Sequence, residues 1–319
     1  MTGPRRRWDL AGLVALAVIV VTILLWLKRP VSEKPTGTVP TEPVFVGSTA
    51  CRDCHRTEYD RWVGSDHDKA MDVATDETVL GDFNDAVFTE GGVSSRFYRR
   101  DGRFYVETEG PDGTLGEFEV THVFGHDPLQ QYLVPFPGGR LQTLNLCWDV
   151  IEKKWFRQYP DRDIAAGDWL HWTRGAQTWN LMCAECHSTN LQKGYDPKTD
   201  TYRTTWTDID VGCEACHGPG SQHVAWAELP PRTRAEAPDD GLVVATDGIS
   251  SEQLVTLCAP CHSRRGELGD YDHTSGDLLD QFIPSLLEEG LYHPDGQILD
   301  EVYVYGSFLQ SKMYAEGVS

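Results

Sequence analysis

The chain has 319 residues, with 28 basic and 49 acidic side chains and a formal net charge of −21. Nucleic-acid binding needs a basic face that neutralises phosphates, so this charge argues against a nucleic-acid partner and favours a protein with a basic docking face. Hydrophobic residues make up 40% of the chain and include ten Trp, which is enough for a folded core in one or two domains.

The N-terminal segment combines a basic start with a long apolar run. Three arginines at positions 5–7 precede apolar residues 10–27, and two basic residues follow. Eighteen residues in a helix reach about 27 Å, close to the thickness of a bilayer's hydrocarbon layer. A cleaved signal peptide, the alternative, usually has a shorter apolar region of about 7–15 residues and a small-residue cleavage site. We therefore predict that residues 1–29 form an uncleaved membrane anchor with the arginines in the cytoplasm.

The segment after the anchor has the composition of a linker. Residues 30–46 contain four prolines among Thr, Ser and Glu. Such sequences form semi-extended tethers rather than packed elements. We expect residues 30–46 to hold the remaining domain, residues 47–319, away from an inner membrane on its periplasmic or extracytoplasmic side.

The pentapeptide Cys-x-x-Cys-His occurs four times in this domain. Random placement of nine Cys and eleven His would give about 0.009 copies. In this pattern the two thiols form thioether bonds to one haem, and the histidine supplies the proximal iron ligand. A zinc site made of Cys-x-x-Cys pairs, or a thioredoxin-like dithiol, would not need a histidine after every second cysteine. The sequence therefore predicts four covalently attached haem c groups.

The attachment residues follow directly from the four motifs. The predicted thioether cysteines are Cys51, Cys54, Cys183, Cys186, Cys213, Cys216, Cys258 and Cys261. The predicted proximal iron ligands are His55, His187, His217 and His262.

A candidate second axial ligand follows the first motif. Residues 57–62 predict a short helix that carries Tyr59 and Trp62. His67 comes next, and histidine is a common second ligand of haem iron. Met71 is a weaker candidate for the same role. The alternative is that His67 is a solvated loop residue among charges.

The hydrophobic pattern changes to strands between the first two motifs. Residues 94–160 contain short apolar and polar alternations, and Asp101-Gly102 is a strong hairpin signal. We predict an antiparallel sheet of four to six strands inserted here. Cys147 lies on one of these strands, outside every haem motif, and is predicted to be a core residue.

Three further histidines precede the second motif. His122 and His126 follow a predicted strand, where each could reach an iron or be a satisfied histidine at a sheet edge. His171 lies between Trp169 and Trp172, whose flat rings pack well against porphyrin. His171 is therefore a candidate distal ligand. The alternative is a buried aromatic cluster that contains an incidental histidine.

The spacing of the second and third motifs predicts that they are neighbours. Only thirty residues separate His187 from His217, too few for a separate domain. His223 follows His217 across the turn-prone sequence Gly-Pro-Gly. We expect His223 to bind the iron of another motif rather than that of His217.

The C-terminal third contains two predicted helices. Ser250 and Gln253 form a capping-box pattern that begins a helix leading into the fourth motif. Residues 278–289 predict another helix, and His293 beyond it is the fourth distal candidate. His273 lies in an acidic stretch and is predicted to be solvated.

Three sequence blocks carry a family resemblance. They are Cys-Ala-Glu-Cys-His-Ser-Thr-Asn-Leu at 183–191, Cys-Glu-Ala-Cys-His-Gly-Pro-Gly-x-x-His at 213–223, and Tyr-His-Pro-Asp-Gly-Gln-Ile at 292–298. They resemble multihaem c-type cytochromes, and more narrowly the nitrifier tetrahaem cytochrome c family, particularly its exported members fused to tetratricopeptide repeats. Those relatives commonly continue into such repeats, which this sequence does not contain.

The resemblance implies closely stacked haems, mostly bis-histidine ligation, and electron transfer outside the cytoplasm. The distal ligands that it implies agree with the candidates chosen from the residues: His67, His171, His223 and His293. The predicted fold is α+β: a mostly helix-and-loop multihaem domain with an antiparallel β-sheet inserted at about 94–160, preceded by one transmembrane helix.

Two functions fit this sequence. In the first, the chain is a non-enzymatic carrier that transfers single electrons between redox partner proteins, because iron held by two histidines has no open position for a substrate. In the second, one haem lacks a distal protein ligand and the chain is an oxidoreductase acting on a small nitrogen or oxygen species. Seven histidines outside the motifs are available to four irons, which favours the carrier.

The haem count is directly testable. We expect the intact mass of the mature protein to exceed its polypeptide mass by four haems. Replacing both cysteines of the first motif by alanine should remove one haem, because thioether attachment needs those sulfurs. Replacing Cys147 by alanine is the control and should leave the count at four. A mass without added macrocycles would contradict the prediction.

Overall fold

The computed structural model describes most of the domain that follows the predicted anchor. The described residues are 42–232, 234, 237–269, 271–272 and 277–318. The predicted membrane span, residues 30–41 of the predicted linker, and His273 lie outside them. Within the described ranges, no helix has the length and apolar character needed to cross a membrane.

Strands occupy much of the region between the first and second motifs. In chain order they are β1 (Met71–Val73), β2 (Ala86–Glu90), β3 (Val93–Arg100), β4 (Arg103–Glu109), β5 (Leu115–Val120), β6 (His122–Phe124), β7 (Leu129–Phe136), β8 (Arg140–Thr143), β9 (Leu146–Asp149) and β10 (Lys154–Arg157). Short strands follow later in the chain: β11 (Tyr195–Asp196), β12 (Thr201–Tyr202), β13 (Arg265–Glu267) and β14 (Phe282–Pro284).

The described helices are mostly single turns near the motifs. They are α1 (Ser48–Cys51), α2 (Arg56–Trp62), α3 (Trp179–Met182), α4 (Ala184–His187), α5 (Cys213–His217), α6 (Ser221–Glu228), α7 (Ser251–His262), α8 (Leu278–Gln281), α9 (Tyr305–Phe308) and α10 (Lys312–Ala315). Three 3₁₀ turns accompany them, at Pro137–Gly139, Gly175–Gln177 and Pro238–Gly241.

Strands β1 to β10 form two antiparallel sheets. One has the order β2-β3-β4-β5, and the other has the order β1-β6-β7-β9-β10 with β8 paired to β7. Strands β11 and β12 make a small hairpin, and β13 pairs with β14. The mixed helix and antiparallel-sheet character agrees with the predicted fold class. The strands are spread over two sheets rather than one, and they begin at Met71, earlier than the sequence pattern shows.

The predicted hairpin at Asp101 and Gly102 is present. Arg100 pairs with Arg103, so these two residues form the whole turn between β3 and β4. Their φ angles are 52° and 74°. Two consecutive residues in the left-handed region match the twist of the flanking strands, and Asp-Gly adopts this conformation readily.

The core of this region lies between the two sheets and is rich in aromatic rings. Phe97 of β3 is 0% exposed and stacks on Trp155 of β10, with ring centroids 3.5 Å apart. Phe83 contacts both rings edge-on. Along β4, Phe104 and Val106 point inward in alternation with exposed or half-buried residues, as the period of a strand requires. The sheets therefore pack as a sandwich through one aromatic cluster.

Cys147 is a core residue, as predicted. It lies on β9 opposite Phe156 and is 1% exposed. Burial raises the pKa of its thiol to about 12. The side chain therefore stays protonated at neutral pH and serves as apolar packing.

The two helices predicted near the fourth motif have different outcomes. Ser250 caps α7: its hydroxyl accepts from the Gln253 N–H at 3.2 Å, and the Gln253 side chain accepts from the Ser250 N–H at 2.8 Å. The helix predicted over 278–289 is wrong beyond Gln281. Phe282 is 1% exposed and pairs with Glu267, so the chain continues as strand β14 instead.

The aromatic core generates a stability prediction. Replacing Phe97 by alanine removes a fully buried ring, and we expect the unfolding free energy to fall by about 3–5 kcal/mol. The control is Val87→Ala on the neighbouring strand β2, where the side chain is 64% exposed and the change should be about 0.5 kcal/mol or less. Denaturant titration measures both. Equal losses in the two variants would contradict the assignment of the core.

Candidate haem sites

Each Cys-x-x-Cys-His motif lies on a short helix or at its end. The first motif begins at the end of α1, the second and third are the short helices α4 and α5 with their flanking residues, and the fourth ends α7. Helical geometry suits the motif, because residues three apart lie on one face. Both thiols of each motif can therefore face the same ring.

The motifs lie next to one another in pairs. The Cys51 and Cys213 thiols lie close enough to influence each other's pKa, which places the first motif beside the third. The Cys186 and Cys261 thiols do the same for the second and fourth. The second and third motifs are also joined, because the Gly212 N–H donates to the Thr189 hydroxyl at 2.9 Å. The proximity predicted from their short spacing is therefore present.

Two predicted distal histidines lie against proximal histidines of other motifs. The His55 and His223 ring centroids are 5.9 Å apart. The His67 and His262 ring centroids are 6.3 Å apart. A metal ion held between two imidazole nitrogens at about 2 Å from each places the ring centres about 6 Å apart. Both pairs therefore have the spacing that a shared iron requires.

Backbone carbonyls orient three histidines that lie in the motifs or just after them. Nδ1 of His187 donates to Ala70 O at 2.8 Å, Nδ1 of His217 to Val244 O at 3.3 Å, and Nδ1 of His223 to Asp240 O at 3.0 Å. A carbonyl oxygen only accepts, so Nδ1 carries the proton and Nε2 keeps its lone pair. This is the tautomer that binds a metal through Nε2.

A cavity of about 380 Å³ lies among the motifs. Its walls include Glu185 of the second motif, Ala215 of the third, and Pro260 and Cys261 of the fourth. A thiol that must bond to the cofactor therefore faces open volume. The donor set, the ring spacing and this cavity together fit covalently attached haem.

The other histidines have different surroundings. Nε2 of His126 is hydrogen-bonded to the Asp66 carboxylate at 2.8 Å, so it is not free for a metal. His122 contacts the Thr121 hydroxyl and the Trp206 ring. Burial lowers the His122 pKa.

Two candidate distal ligands do not lie against the proximal histidine of any motif. His171 is 3% exposed and its Nδ1 lies 2.8 Å from the Thr173 hydroxyl, while His293 is exposed in the loop after Gly290. Among the described residues, neither has a ring contact with a proximal histidine. Met71, the weaker candidate, is buried in an apolar cluster with Phe124.

Two stretches of the chain, residues 50–83 and 169–218, match the family model described as cytochrome c554 and c-prime. These stretches contain the first three motifs, each with both cysteines and the histidine. This chain is a multihaem c-type cytochrome. No curated protein shows significant similarity to it.

Among solved structures, the outer cell wall cytochrome OcwA resembles this cytochrome with a TM-score of 0.54 at 17% identity, over 81% of this chain and 49% of that one. An undecaheme cytochrome from the S-layer of Carboxydothermus ferrireducens gives a TM-score of 0.41 at 19% identity, over 77% and 29% of the two chains. The likeness to OcwA shows a shared fold. This cytochrome spans about half of the OcwA chain.

A buried carboxylate holds the segment before the first motif onto the third. Glu214, the residue after Cys213, is 2% exposed and accepts from the backbone N–H groups of Val46 at 2.9 Å, Gly47 at 2.7 Å and Gly220 at 2.7 Å. Hydrogen bonds to an ionised group are stronger than neutral ones, which offsets the cost of burial. Sequence analysis missed this role, although a glutamate inside the motif beside Gly-Pro-Gly was a visible signal.

An ion pair joins the second motif of the cytochrome to the fourth. Arg265 donates to the Glu185 carboxylate at 2.7 Å and to the Pro260 carbonyl, and its guanidinium lies over the Phe282 ring. Burial raises the Glu185 pKa, and Arg265 opposes that shift. Removing either partner alone would leave a desolvated charge.

The carboxylates between the second and third motifs differ in their partners. Asp208 accepts from the Ser48 backbone and hydroxyl at 3.0 and 2.8 Å. Asp210 Oδ1 is buried and has no hydrogen-bond partner among the described residues. Burial raises the pKa of Asp210 to about 7, with further repulsion from Asp208, Asp68 and Asp72. A carboxyl group here exchanges its proton near neutral pH.

Asp210 makes the stability of the cytochrome depend on pH. Its folded-state pKa lies above the unfolded value of 3.8, so the folded state binds more protons and stability falls as pH rises from about 4 to about 7. Asp210→Asn removes this loss. We expect the variant to gain about 1–2 kcal/mol over the wild type at pH 8, after allowance for partial solvent exposure, and little at pH 4.

Urea unfolding of the haem-loaded protein at both pH values measures the difference. Asp161→Asn is the control, because Asp161 is exposed and is not one of the carboxylates near Asp210. This variant should leave the pH profile unchanged. A constant difference between Asp210→Asn and wild type from pH 4 to 8 would show that the carboxyl does not titrate in this range.

Proposed function

We propose that this chain is an exported, membrane-anchored tetrahaem cytochrome that transfers single electrons between redox partners through closely spaced bis-histidine haems. The spacing of His55 with His223 and of His67 with His262, each near 6 Å between ring centroids, is the observation that supports this proposal. Haem, when bound, supplies one-electron exchange at iron. Two imidazoles on one iron leave no position for a substrate.

The chain's own contribution is to hold these ligands in place. His223 belongs to the segment after the third motif but faces His55 of the first, and His67 follows the first motif but faces His262 of the fourth. Each proposed iron would therefore link two segments that are distant in sequence. Carbonyl partners such as Asp240 O orient the rings before any electron arrives. The histidines then need little rearrangement when the iron gains or loses an electron.

Charge and sequence support the proposed partner and location. A net charge of −21 favours a redox partner with a basic docking face, through electrostatic steering that weakens as salt is added. We place the haem domain on the extracytoplasmic side of the inner membrane because of the apolar run at residues 10–27. The motif blocks at 183–191 and 213–223 support a relation to the nitrifier tetrahaem cytochromes.

An enzymatic role is the second candidate. In the described part of the chain, the rings of His187 and His217 have no histidine ring at the spacing seen in the other two pairs. One of these irons could then keep an open position and act on a small nitrogen or oxygen species. In the carrier proposal, His171 and His293 supply the two remaining distal ligands.

Replacing each paired distal histidine tests the ligand assignment. We expect His223→Ala and His67→Ala each to convert one low-spin haem to high spin, because one axial nitrogen is lost. Electron paramagnetic resonance of the oxidised protein measures this change. His126→Ala is the control, since its Nε2 is already bonded to Asp66, and its spectrum should match the wild type. Unchanged spin states in both paired variants would refute the proposed ligation.

Carbon monoxide distinguishes the carrier from the enzyme. It binds reduced iron only where an axial position is open. No spectral shift in the reduced wild-type protein is expected for a carrier with four bis-histidine haems, whereas a shift equal to one whole haem favours the enzyme. The His223→Ala variant is the positive control, because it should bind one carbon monoxide.

A further inference from the structure

Four large apolar side chains are exposed within a short stretch of chain that follows the fourth motif. Leu279 of α8 is 64% exposed, Ile283 of β14 is 59% exposed, and Leu286 and Leu287 beyond β14 are 76% and 52% exposed. Single exposed apolar residues are ordinary on protein surfaces, whereas a group of them with a polar rim marks an interaction surface. We call these four residues the 279–287 surface.

The strand pairing shows that Ile283 points away from the haem motifs. Its neighbour Phe282 lies under the Arg265 guanidinium and contacts the ring of Tyr271, which lines the larger cavity. Successive side chains of a strand point to opposite faces, so Ile283 lies on the outer face. Its cross-strand partner is Gly266, where a Cβ would meet no heavy atom within 4 Å outside its chain neighbours. The outer face beside Ile283 is therefore open.

One layer of side chains separates this surface from the fourth motif. Leu278 and Phe282 are buried and pack together with Ala259, which lies between the two cysteines of the motif. Cys258 is itself exposed, so the motif reaches the protein surface. A protein bound on the 279–287 surface would therefore lie close to the fourth motif.

The charge around these apolar residues has one sign. Residues 277–301 contain seven Asp or Glu and no Lys or Arg, which is a third of the formal net charge of −21. Asp280, Glu288 and Glu289 adjoin the apolar side chains in sequence and are exposed. An apolar centre with a charged rim is the usual composition of a protein–protein interface. Here the rim is acidic.

The preceding arginines do not neutralise this rim. Arg265 pairs with Glu185 and Glu267, and Arg264 donates to the backbone carbonyl of Glu301. A second copy of this chain would bring a second acidic rim, and like charges facing each other oppose association. An anionic membrane surface would be repelled for the same reason. The charge therefore favours a basic protein as the occupant.

We infer that the 279–287 surface is the docking site of a one-electron redox protein whose contact face has an apolar centre ringed by Lys and Arg, and that this partner exchanges electrons with the fourth haem. The inference rests on the proposed electron-transfer function and assigns its partner to one surface. The carboxylates would steer the partner, and the apolar side chains would hold it. In each exchange, one centre loses the electron that the other gains.

Charge reversal tests the rim. Stopped-flow mixing of the reduced haem-loaded protein with a strongly basic, oxidised monohaem cytochrome c gives a second-order rate constant. The wild-type rate constant should fall as salt is added. Glu288→Lys with Glu289→Lys should lower it about tenfold or more at low ionic strength, because electrostatic steering is worth about 10–10³-fold. The control, Asp161→Lys with Asp163→Lys, makes the same change in net charge at two exposed positions elsewhere and should lower it much less.

Removal of apolar side chains tests the centre. Leu279→Ser with Ile283→Ser should lower the same rate constant about fivefold or more, because contacts at the centre of an interface carry most of the binding energy. Its salt dependence should match the wild type, since no charge changes. The control, Leu115→Ser with Ile151→Ser, removes side chains that are 58% and 70% exposed elsewhere and should react like the wild type. Haem spectra and unfolding midpoints establish that each variant is folded.

Oxidation by ferrocenium, a small one-electron oxidant that needs no docking surface, tests the proposed function separately. If ferrocenium does not oxidise the reduced wild type, electron transfer itself fails and the inference falls with it. If ferrocenium oxidises all variants equally and cytochrome c reacts equally with the rim variant and its control, the docking site is overturned while the function stands. A wild-type rate constant without salt dependence would also overturn the docking site. So would a haem spectrum changed by Leu279→Ser with Ile283→Ser, because these residues would then lie against a haem.

Discussion

Two imidazole rings can share an iron only if their centres lie about 6 Å apart, and two histidine pairs of this protein have that spacing. The helices that carry the motifs are mostly one turn long, and such helices are not stable alone in water. Cross-segment contacts must therefore hold them. The His55–His223 and His67–His262 pairs, together with the four backbone bonds of Glu214, connect segments that are far apart in sequence.

The two sheets formed by β1 to β10 also help to position the second motif. Strand β1 begins directly after Ala70, whose carbonyl accepts from His187 at 2.8 Å. Phe124 of β6 contacts the ring of the same histidine, with centroids 5.2 Å apart. A rigid sheet edge thus orients a proximal ligand through one hydrogen bond and one ring contact. An inserted sheet that carries no haem-attachment residue still contributes to ligand geometry.

Sequence reasoning was most successful where the determining interactions are local. The Asp101-Gly102 turn and the Ser250 cap each depend on residues within five positions of one another. It failed where packing against residues distant in sequence determines the local structure. Phe282 was predicted to be helical but lies in β14, because its ring is buried under Arg265. Spacing could predict that His223 turns toward another motif, but not that His55 is its partner. That pairing depends on how two segments pack, which no local pattern contains.

The two parts of the domain obtain stability from different sources. The sandwich is filled by its own aromatic rings, with Phe97 and Trp155 in face-to-face contact, and it contains a cavity of about 60 Å³. The motif region instead contains about 380 Å³ of open volume beside Cys261. Polypeptide packing is normally dense, so a gap of this size removes many favourable contacts unless another group fills it. In the motif region, the faces of attached haem rings would supply contacts across this volume, whereas the sandwich is packed by its own aromatic side chains.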